Sequence, residues 1–382
     1  MKVSEVIGKA MRKEIRWLDA ARILGVSDRQ MRRWKARYET DGVGGLCDHR
    51  EGKAPKNRVP EATMARVLEL YRGEYAGFNV QHFWEQLGEH QIKVSYGWTK
   101  TLLHDAGLVR RGQKRKAYRR RREREPMAGM MLHLDGSKHH WFESEDGALQ
   151  DLIAFVDDAT GEVLFPRFVP EESTTTVLGV LRETVEEHGT FGRLYTDRAS
   201  HFVYTPKAGE GPDRTKKTQV ERVLDELGIE LVCGFSPQAR GRSERMWRTL
   251  QGRLPQELAR LGIRTYEAAN TYLRARFLQP FNKRFAVPAA IEGTAFLPLA
   301  GADLDRIFAL RFERTVGNDH TIRFHHRVLQ LDKPKGYCPL QKRRVQLRVT
   351  LDGRIHVYLG TRLLQSFAVQ GLDLDDPALE AA

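Results

Sequence analysis

The sequence contains little cysteine and no long apolar run. Its 382 residues include 3 cysteines, Cys47, Cys233 and Cys338, which lie far apart. An odd and sparse set of this kind excludes a disulfide framework and a cysteine-rich zinc module. No segment approaches the ~18 apolar residues of a membrane span, and no apolar stretch near the first residues indicates a secretory signal. We therefore expect a reduced cytoplasmic protein without a membrane partner.

The net charge of +13 comes from one part of the chain. Residues 1–126 hold 29 Lys and Arg against 16 Asp and Glu, whereas residues 127–382 hold 34 of each. Within the second part, residues 127–300 hold 21 basic and 24 acidic residues, and residues 301–371 hold 13 and 6. The tail, 372–382, holds four acids and no base. Because Lys and Arg displace the counterions of phosphate backbones, the basic modules predict a nucleic-acid partner.

Residues 12–38 show the pattern of two short helices joined by a tight turn. Apolar side chains recur at helical spacing, Gly25 ends the first helix and Ser27 begins the second. This pattern is typical of a helix-turn-helix, whose second helix enters the major groove of DNA. An ordinary helical hairpin with a solvated basic face is the alternative. The candidate DNA-contact residues are Arg29, Gln30, Arg32, Arg33 and Arg37.

A second helical unit and a basic linker follow. The last helix of the unit begins at Ser95, but Gly97 lies inside it, so DNA contact and a role in packing or dimerisation are both open. Residues 110–125 hold ten basic and two acidic residues and no apolar face. They predict either a strap across DNA phosphates or a solvated linker. The candidate contacts in the linker are Arg115, Arg119, Arg120 and Arg121.

From Met127 onward, short strands alternate with helices. The order of three strands, helix, strand, helix, strand and helix predicts an α/β core with a mixed five-stranded sheet, in the ribonuclease-H-like arrangement. The short strands after residue 300 predict a small basic β-barrel. The predicted organisation is thus multidomain. The predicted segments are helix-turn-helix units 1–55 and 56–109, linker 110–126, α/β core 127–300, barrel 301–371 and acidic tail 372–382.

Three acids occupy the ends of elements in the predicted core. Asp135 closes the first strand, Asp197 closes the fourth, and Glu244 begins the helix after the fifth. Strands one and four lie side by side in such a sheet, and converging carboxylates need a cation. Oxygen ligands suit Mg²⁺ or Mn²⁺, and two such ions would serve an in-line phosphoryl displacement. The candidate phosphate contacts around Glu244 are Arg240, Arg242 and Arg248.

Other polar residues near these acids have simpler interpretations. The adjacent Asp157 and Asp158 end a strand and are assigned to turn chemistry, with contact of one of them with the metal edge as the alternative. His133 shares a strand face with Asp135 and is a candidate supporting group. His201, four residues after Asp197, either orients a water or phosphate or has a structural role in its loop.

Four segments carry a resemblance to a known family. They are HLDGSKHHWF, AFVDDATGEVL, LYTDRASHF and GIELVCGFSPQARGRSERMWRTLQGRL. They resemble the DDE transposases with a retroviral-integrase-type catalytic core, and most closely the ISNCY-type insertion-sequence group. The resemblance covers nearly the whole chain and is most specific in residues 193–253. Ala199 and Ser243 depart from the pattern, where relatives often have glycine and an apolar residue.

The resemblance implies an insertion-sequence transposase with the catalytic and metal-binding triad Asp135, Asp197 and Glu244. It implies binding of terminal inverted repeats, hydrolysis that exposes a 3′-hydroxyl, and attack of that hydroxyl on target DNA. It also implies Mg²⁺ or Mn²⁺ as two ions, double-stranded DNA as partner and a homo-oligomer on DNA in the bacterial cytoplasm. A domesticated DNA-binding regulator and a ribonuclease-H-type nuclease are the alternatives, and helix-turn-helix units speak against the second because they fit B-form DNA.

Overall fold

The computed structural model describes residues 3–47, 58–110, 123–144, 147–204, 216–234, 243–332, 339–369 and 374. The chain divides into two compact units, Met1–Arg66 and Val67–Ala382. Among the described residues, no helix is both long enough and apolar enough to cross a membrane.

The first unit is helical. Its elements are α1 (Val3–Met11), α2 (Trp17–Leu24), α3 (Asp28–Asp41) and a 3₁₀ turn (Gly42–Leu46). Gly25 ends α2 with φ 66°, and the Ser27 hydroxyl caps α3 by accepting from the Gln30 amide at 3.3 Å. The helix-turn-helix prediction is therefore confirmed, although α1 as a separate helix was not predicted. A small core that includes Ile7, Ala20 and Met31 holds the helices together.

Three helices open the next part of the chain. They are α4 (Glu61–Arg72), α5 (Val80–Gln86) and α6 (Tyr96–Asp105). The Ser95 hydroxyl accepts from the Trp98 amide at 3.2 Å, so α6 begins where the sequence predicted. Phe83 and Leu103 are fully buried in the core of these helices.

A five-stranded mixed sheet forms the centre of the second unit. Its strand order is β3-β2-β1-β4-β5, with β1, β4 and β5 parallel and β2 antiparallel to both of its neighbours. This is the predicted ribonuclease-H-like order. Its elements are β1 (Met131–His139), β2 (Gln150–Asp157), β3 (Val163–Val169), α7 (Thr174–His188), β4 (Arg193–Thr196), α8 (Gln219–Leu227) and β5 (Glu230–Cys233).

Helices cover both faces of this sheet. On one face Leu132 and Leu134 of β1 share a core with α7 and α8. On the other face Ala154 shares a core with Trp247 and Leu258. The helices of this second face are α9 (Ser243–Gln251), α10 (Leu254–Arg260), α11 (Tyr266–Tyr272), a π-helical segment (Leu273–Phe277) and α12 (Leu278–Phe285).

The last strands do not form the predicted barrel. They make a four-stranded antiparallel sheet, β11-β10-β9-β6, and a separate β7–β8 ribbon, and within the described residues no pairing closes the four strands. Phe312 of β6 packs against Phe324 of β7 with ring centroids 5.1 Å apart, so the ribbon covers part of the apolar face of the sheet; both residues belong to an apolar cluster that also includes Leu224 of α8. The elements are α13 (Leu304–Ile307), β6 (Leu310–Thr315), β7 (Thr321–Phe324), β8 (Arg327–Gln330), β9 (Arg344–Val349), β10 (Arg354–Leu359) and β11 (Arg362–Ala368).

Candidate active site

Asp135 lies in the middle of β1 and not at its end. It is the fifth of nine residues, because β2 pairs with β1 as far as His139. The prediction that Asp135 closes the strand was therefore wrong, since nothing local in the sequence stops the ladder. Asp135 is half-buried, and its Oδ2 accepts a hydrogen bond from Trp247 Nε1 of α9 at 3.1 Å.

Asp197 directly follows β4, as predicted. Parallel pairing joins Met131 to Arg193 and His133 to Tyr195. The same register extended by two residues places Asp197 level with Asp135 on the neighbouring chain segment, where strands lie about 4.8 Å apart. Asp197 Oδ1 accepts from the Ala199 amide at 2.8 Å. The turn after Asp197 therefore forms with Ala199, at the position where relatives often have glycine.

Glu244 lies in the first turn of α9, a helix that runs alongside β1. Two contacts set the direction of the helix: Trp247 donates to Asp135, and Gln251 Nε2 donates to Ser137 Oγ at 3.0 Å. Glu244, Trp247 and Gln251 are spaced for one stripe of a helix, which places Glu244 one turn before Trp247. The Glu244 side chain is exposed, and Ser243 before it is buried.

The three acids do not form a closed ligand set in this structure. Across the described ranges, no group of three or more His, Cys, Asp or Glu side chains is arranged to hold a metal ion. The register thus relates Asp135 to Asp197, and the packing of α9 brings the helix of Glu244 to the same strand.

His133 and Asp158 form a buried pair next to this region. His133 Nε2 lies 2.7 Å from Asp158 Oδ1, and the Asp158 carboxylate, which is 0% exposed, also accepts from the Glu125 amide at 2.7 Å. Asp158 lies in the turn after β2, as the sequence predicted, but its carboxylate binds His133 and the Glu125 amide and not the turn itself. Asp157 does make the turn, since its Oδ1 accepts from the Thr160 amide at 2.8 Å.

Glu172 is a residue that the sequence did not single out. Its Oε1 lies 3.1 Å from His201 Nε2, in the loop after Asp197. A Cβ at Gly136 would lie 2.3 Å from Glu172 Oε2, so the glycine next to Asp135 lets the carboxylate approach β1. Glu172 therefore lies between His201 and the part of β1 next to Asp135. Nothing in the sequence around Glu172, which precedes α7, indicates its contact with His201.

The DNA-contact candidates fall into three groups. On α3, Arg29, Arg32, Arg33 and Arg37 are exposed, and none of them forms an ion pair with an acid of the described segments, whereas Gln30 is half-buried. Arg248 is exposed on α9. The remaining candidates lie outside the described residues: Arg115, Arg119, Arg120, Arg121, Arg240 and Arg242.

Two relatives decide the family of this chain. The putative transposase y4bF of Sinorhizobium fredii (strain NBRC 101917 / NGR234) is 33% identical across 92% of this chain and 77% of its own length. The transposase for insertion sequence IS1202 of Streptococcus pneumoniae is 27% identical across 89% of this chain and 80% of its own length. The chain belongs to the insertion-sequence transposases.

Two further matches concern parts of this transposase. Residues 16–65 match the model of the winged helix-turn-helix family, which covers α2 and α3. A structure of the HTLV-2 integrase catalytic core domain in complex with magnesium aligns with 42% of the transposase and 98% of that chain, with 12% identity and a TM-score of 0.31. That likeness is distant, and the family assignment does not depend on it.

Proposed function

We propose that this transposase binds the terminal inverted repeats of its element and catalyses metal-dependent hydrolysis and strand transfer with Asp135, Asp197 and Glu244. The observation that carries the proposal is the parallel register of β1 and β4, which puts Asp197 level with Asp135. The docking of α9 on β1 through Trp247 supports the inclusion of Glu244.

The donor chemistry of these residues fits Mg²⁺ or Mn²⁺. All three side chains offer carboxylate oxygens, which hard divalent cations prefer. Two carboxylates at one level of adjacent strands repel each other unless a cation lies between them. Asp135 and Asp197 would hold the shared ion, and Glu244 would hold a second. When bound, such a pair of ions stabilises charge on the attacking and leaving oxygens of an in-line displacement at phosphorus.

The protein's own side chains orient these acids. Trp247 donates to one oxygen of Asp135, and the Ala199 amide fixes one oxygen of Asp197. Arg248, exposed one turn after Glu244, would contact a DNA phosphate beside the scissile bond. The exposed arginines of α3 would read and hold the terminal repeats. Since an element has two ends, we propose that at least two protomers act together on DNA in the bacterial cytoplasm.

The test is cleavage and joining of duplex DNA that carries the element's ends, with Mg²⁺ or Mn²⁺. Asp135→Asn, Asp197→Asn and Glu244→Gln should each lower strand transfer ~100-fold or more, because a metal ligand contributes several kcal/mol to the transition state. Binding of the ends should be retained in all three. Glu267→Gln, an exposed acid on α11, is the matched control and should leave strand transfer unchanged.

Two results would contradict the proposal. Tight end binding without cleavage by the unmutated protein would favour a regulator on an inactive core. Cleavage of RNA–DNA hybrids without terminal repeats would favour a nuclease of the ribonuclease-H type.

A further inference from the structure

Three arginines meet where the C-terminal four-stranded sheet docks on α8. Arg311 of β6 and Arg348 of β9 are directly opposite each other in the antiparallel ladder. Arg222 of α8 donates from Nη2 to the Arg311 carbonyl oxygen at 3.3 Å. The Gln219 side chain also holds the Arg311 backbone, because it donates to the Arg311 carbonyl and accepts from the Arg311 amide, both at 3.0 Å.

This cluster has fewer negative than positive charges. Glu226 forms an ion pair with Arg311. Neither Arg222 nor Arg348 forms an ion pair with any acid of the described residues. Arg348 is only 8% exposed. Its guanidinium donates to two neutral acceptors, Gln346 Oε1 at 2.9 Å and the Arg306 carbonyl at 3.0 Å.

A further polar group of the cluster is left unsatisfied. The Nε atom of Arg222 is buried and has no hydrogen-bond partner among the described residues. Like charges directly opposite each other in a sheet are destabilising, and buried charge without a counter-charge is costly. A bound anion or a water molecule would supply the hydrogen-bond partner that the buried Arg222 Nε lacks.

The pKa values of the three side chains change in the same direction. Burial, and then the charges of Arg348 and Arg222, lower the pKa of Arg311 to about 10. Burial followed by the charge of Arg348 lowers the pKa of Arg222. Burial and the charge of Arg306 lower the pKa of Arg348, against smaller opposite effects of Tyr358 and Asp303. The fold therefore holds cations together against their mutual repulsion.

We propose that Arg222, Arg311 and Arg348 form a phosphate-binding site that takes a phosphodiester group of DNA. Guanidinium groups match phosphate oxygens in both charge and geometry. The Arg311 and Glu226 side chains are 14% and 30% exposed, so an anion would reach the cluster from their side. Glu226 occupies the place of the anion when DNA is absent and gives way to the phosphate. The choice of DNA as occupant rests on the proposed function, whereas phosphate binding itself does not involve the catalytic acids.

The first test uses inorganic phosphate as the probe. Thermal unfolding of the full chain is measured in phosphate and in chloride at equal ionic strength. Phosphate should raise the Tm of the unmutated protein, and the rise should be larger in Glu226→Gln, which lacks the competing carboxylate. The rise should be lost in Arg222→Gln and unchanged in Arg362→Gln, an exposed arginine of β11.

Equal phosphate effects in all four proteins would overturn the proposal. If Arg222→Gln does not fold, Glu226→Gln still tests the proposal. If the Glu226–Arg311 ion pair is purely structural, Glu226→Gln should have a lower Tm, and phosphate should raise that Tm no more than it raises the Tm of the unmutated protein.

The second test distinguishes DNA from free phosphate. The affinity for duplex DNA is measured over a range of salt concentrations. Loss of one phosphate contact in Arg222→Gln should reduce the slope of log K against log salt by ~0.9, and Arg362→Gln should not change it. A phosphate effect on Tm without this change in slope would overturn the assignment to DNA. Failure of strand transfer with the slope change present would contradict the proposed catalysis alone.

Discussion

Gly189 and Gly228 each end a helix, but only Gly189 is held against another part of the backbone. Gly189 follows α7 with φ 90°, and a Cβ there would lie 2.2 Å from the Leu297 carbonyl oxygen. Gly228 follows α8 with φ 72°, and a Cβ there would have no neighbour within 4 Å. The next residue, Thr190, pairs with Leu297 through two backbone hydrogen bonds of 2.8 Å. This contact anchors the chain just before β4, the strand that leads to Asp197.

Alanine at these two positions should therefore have unequal effects. Gly189→Ala should lower the free energy of unfolding by ~3 kcal/mol or more, since backbone strain and overlap with a carbonyl add together. Gly228→Ala should lower it by only ~1–2 kcal/mol, the strain of a left-handed residue. Urea unfolding of both variants measures the difference. Losses of equal size would mean that the backbone at Leu297 moves away freely.

At the scale of elements, α5 is joined to the catalytic core by buried polar contacts. His82, 1% exposed, lies 2.6 Å from Glu257 of α10. Glu85 accepts two hydrogen bonds from Arg253, at 2.7 and 3.0 Å, and pairs with Arg284 at 2.6 Å. This face of α5 packs against the core and is not available to DNA. Of the two roles that the sequence left open for this unit, packing is the one that α5 performs.

The junction should weaken in acid. Burial raises the pKa of Glu85, but the hydrogen bonds and charge of Arg253 outweigh burial, so the pKa lies below its ordinary value of 4.5. For Glu257, burial likewise raises the pKa, and hydrogen bonds with His82 and Tyr272 bring it below 4.5. An acid with a lowered folded pKa stabilises the fold above its unfolded pKa, and this stabilisation is lost as the pH falls through the folded value.

Glu85→Gln tests this pH dependence. At pH 7 the variant should lose ~3 kcal/mol of unfolding free energy, because Arg253 remains buried without its partner. The difference between variant and unmutated protein should shrink as the pH falls below about 4.5. Urea unfolding at several pH values measures both quantities. Glu143→Gln, with a side chain 84% exposed, is the control and should show neither effect. A difference that does not depend on pH would contradict the role of the Glu85 carboxylate.

At the scale of the whole molecule, the candidate DNA contacts and the candidate acids lie in different parts of the chain. The exposed arginines of α3 lie in the first compact unit, and the candidate acids lie in the second. Residues 1–126, which hold the candidate DNA contacts of α3, carry the positive excess, while residues 127–300 are close to neutral. Affinity for DNA ends and the rate of strand transfer should therefore respond to different substitutions.

Combined replacement Arg32→Gln and Arg33→Gln should weaken binding of the element's ends ~10-fold or more, since each base or phosphate contact is worth ~1 kcal/mol or above. Arg16→Gln, whose side chain is 89% exposed and lies before α2, is the matched control and should bind like the unmutated protein. Mobility shifts with end-bearing and unrelated duplexes measure the effect. An equal loss for both duplexes would show that these arginines contact only phosphates.

Features with local causes were predictable from the sequence. Gly25 and Ser27 mark the turn before α3, because a left-handed glycine and a capping hydroxyl act within three residues. The alternation of strands and helices indicated the mixed sheet and its strand order. The ends of the predicted elements and the family resemblance both indicated Asp135, Asp197 and Glu244 as the candidate metal ligands.

Features that join distant residues were decided only by the tertiary structure. Asp158 pairs with His133, 25 residues away, and Glu172 reaches His201 across α7 and β4. Within the described residues the last strands pair as an open four-stranded sheet and a separate ribbon, and their apolar side chains join one cluster with those of the core. Helix caps and turns depend on hydrogen bonds between near neighbours, and a sequence displays those neighbours directly. Partners across a sheet or between domains are selected by packing of the whole chain, and no short segment contains that information.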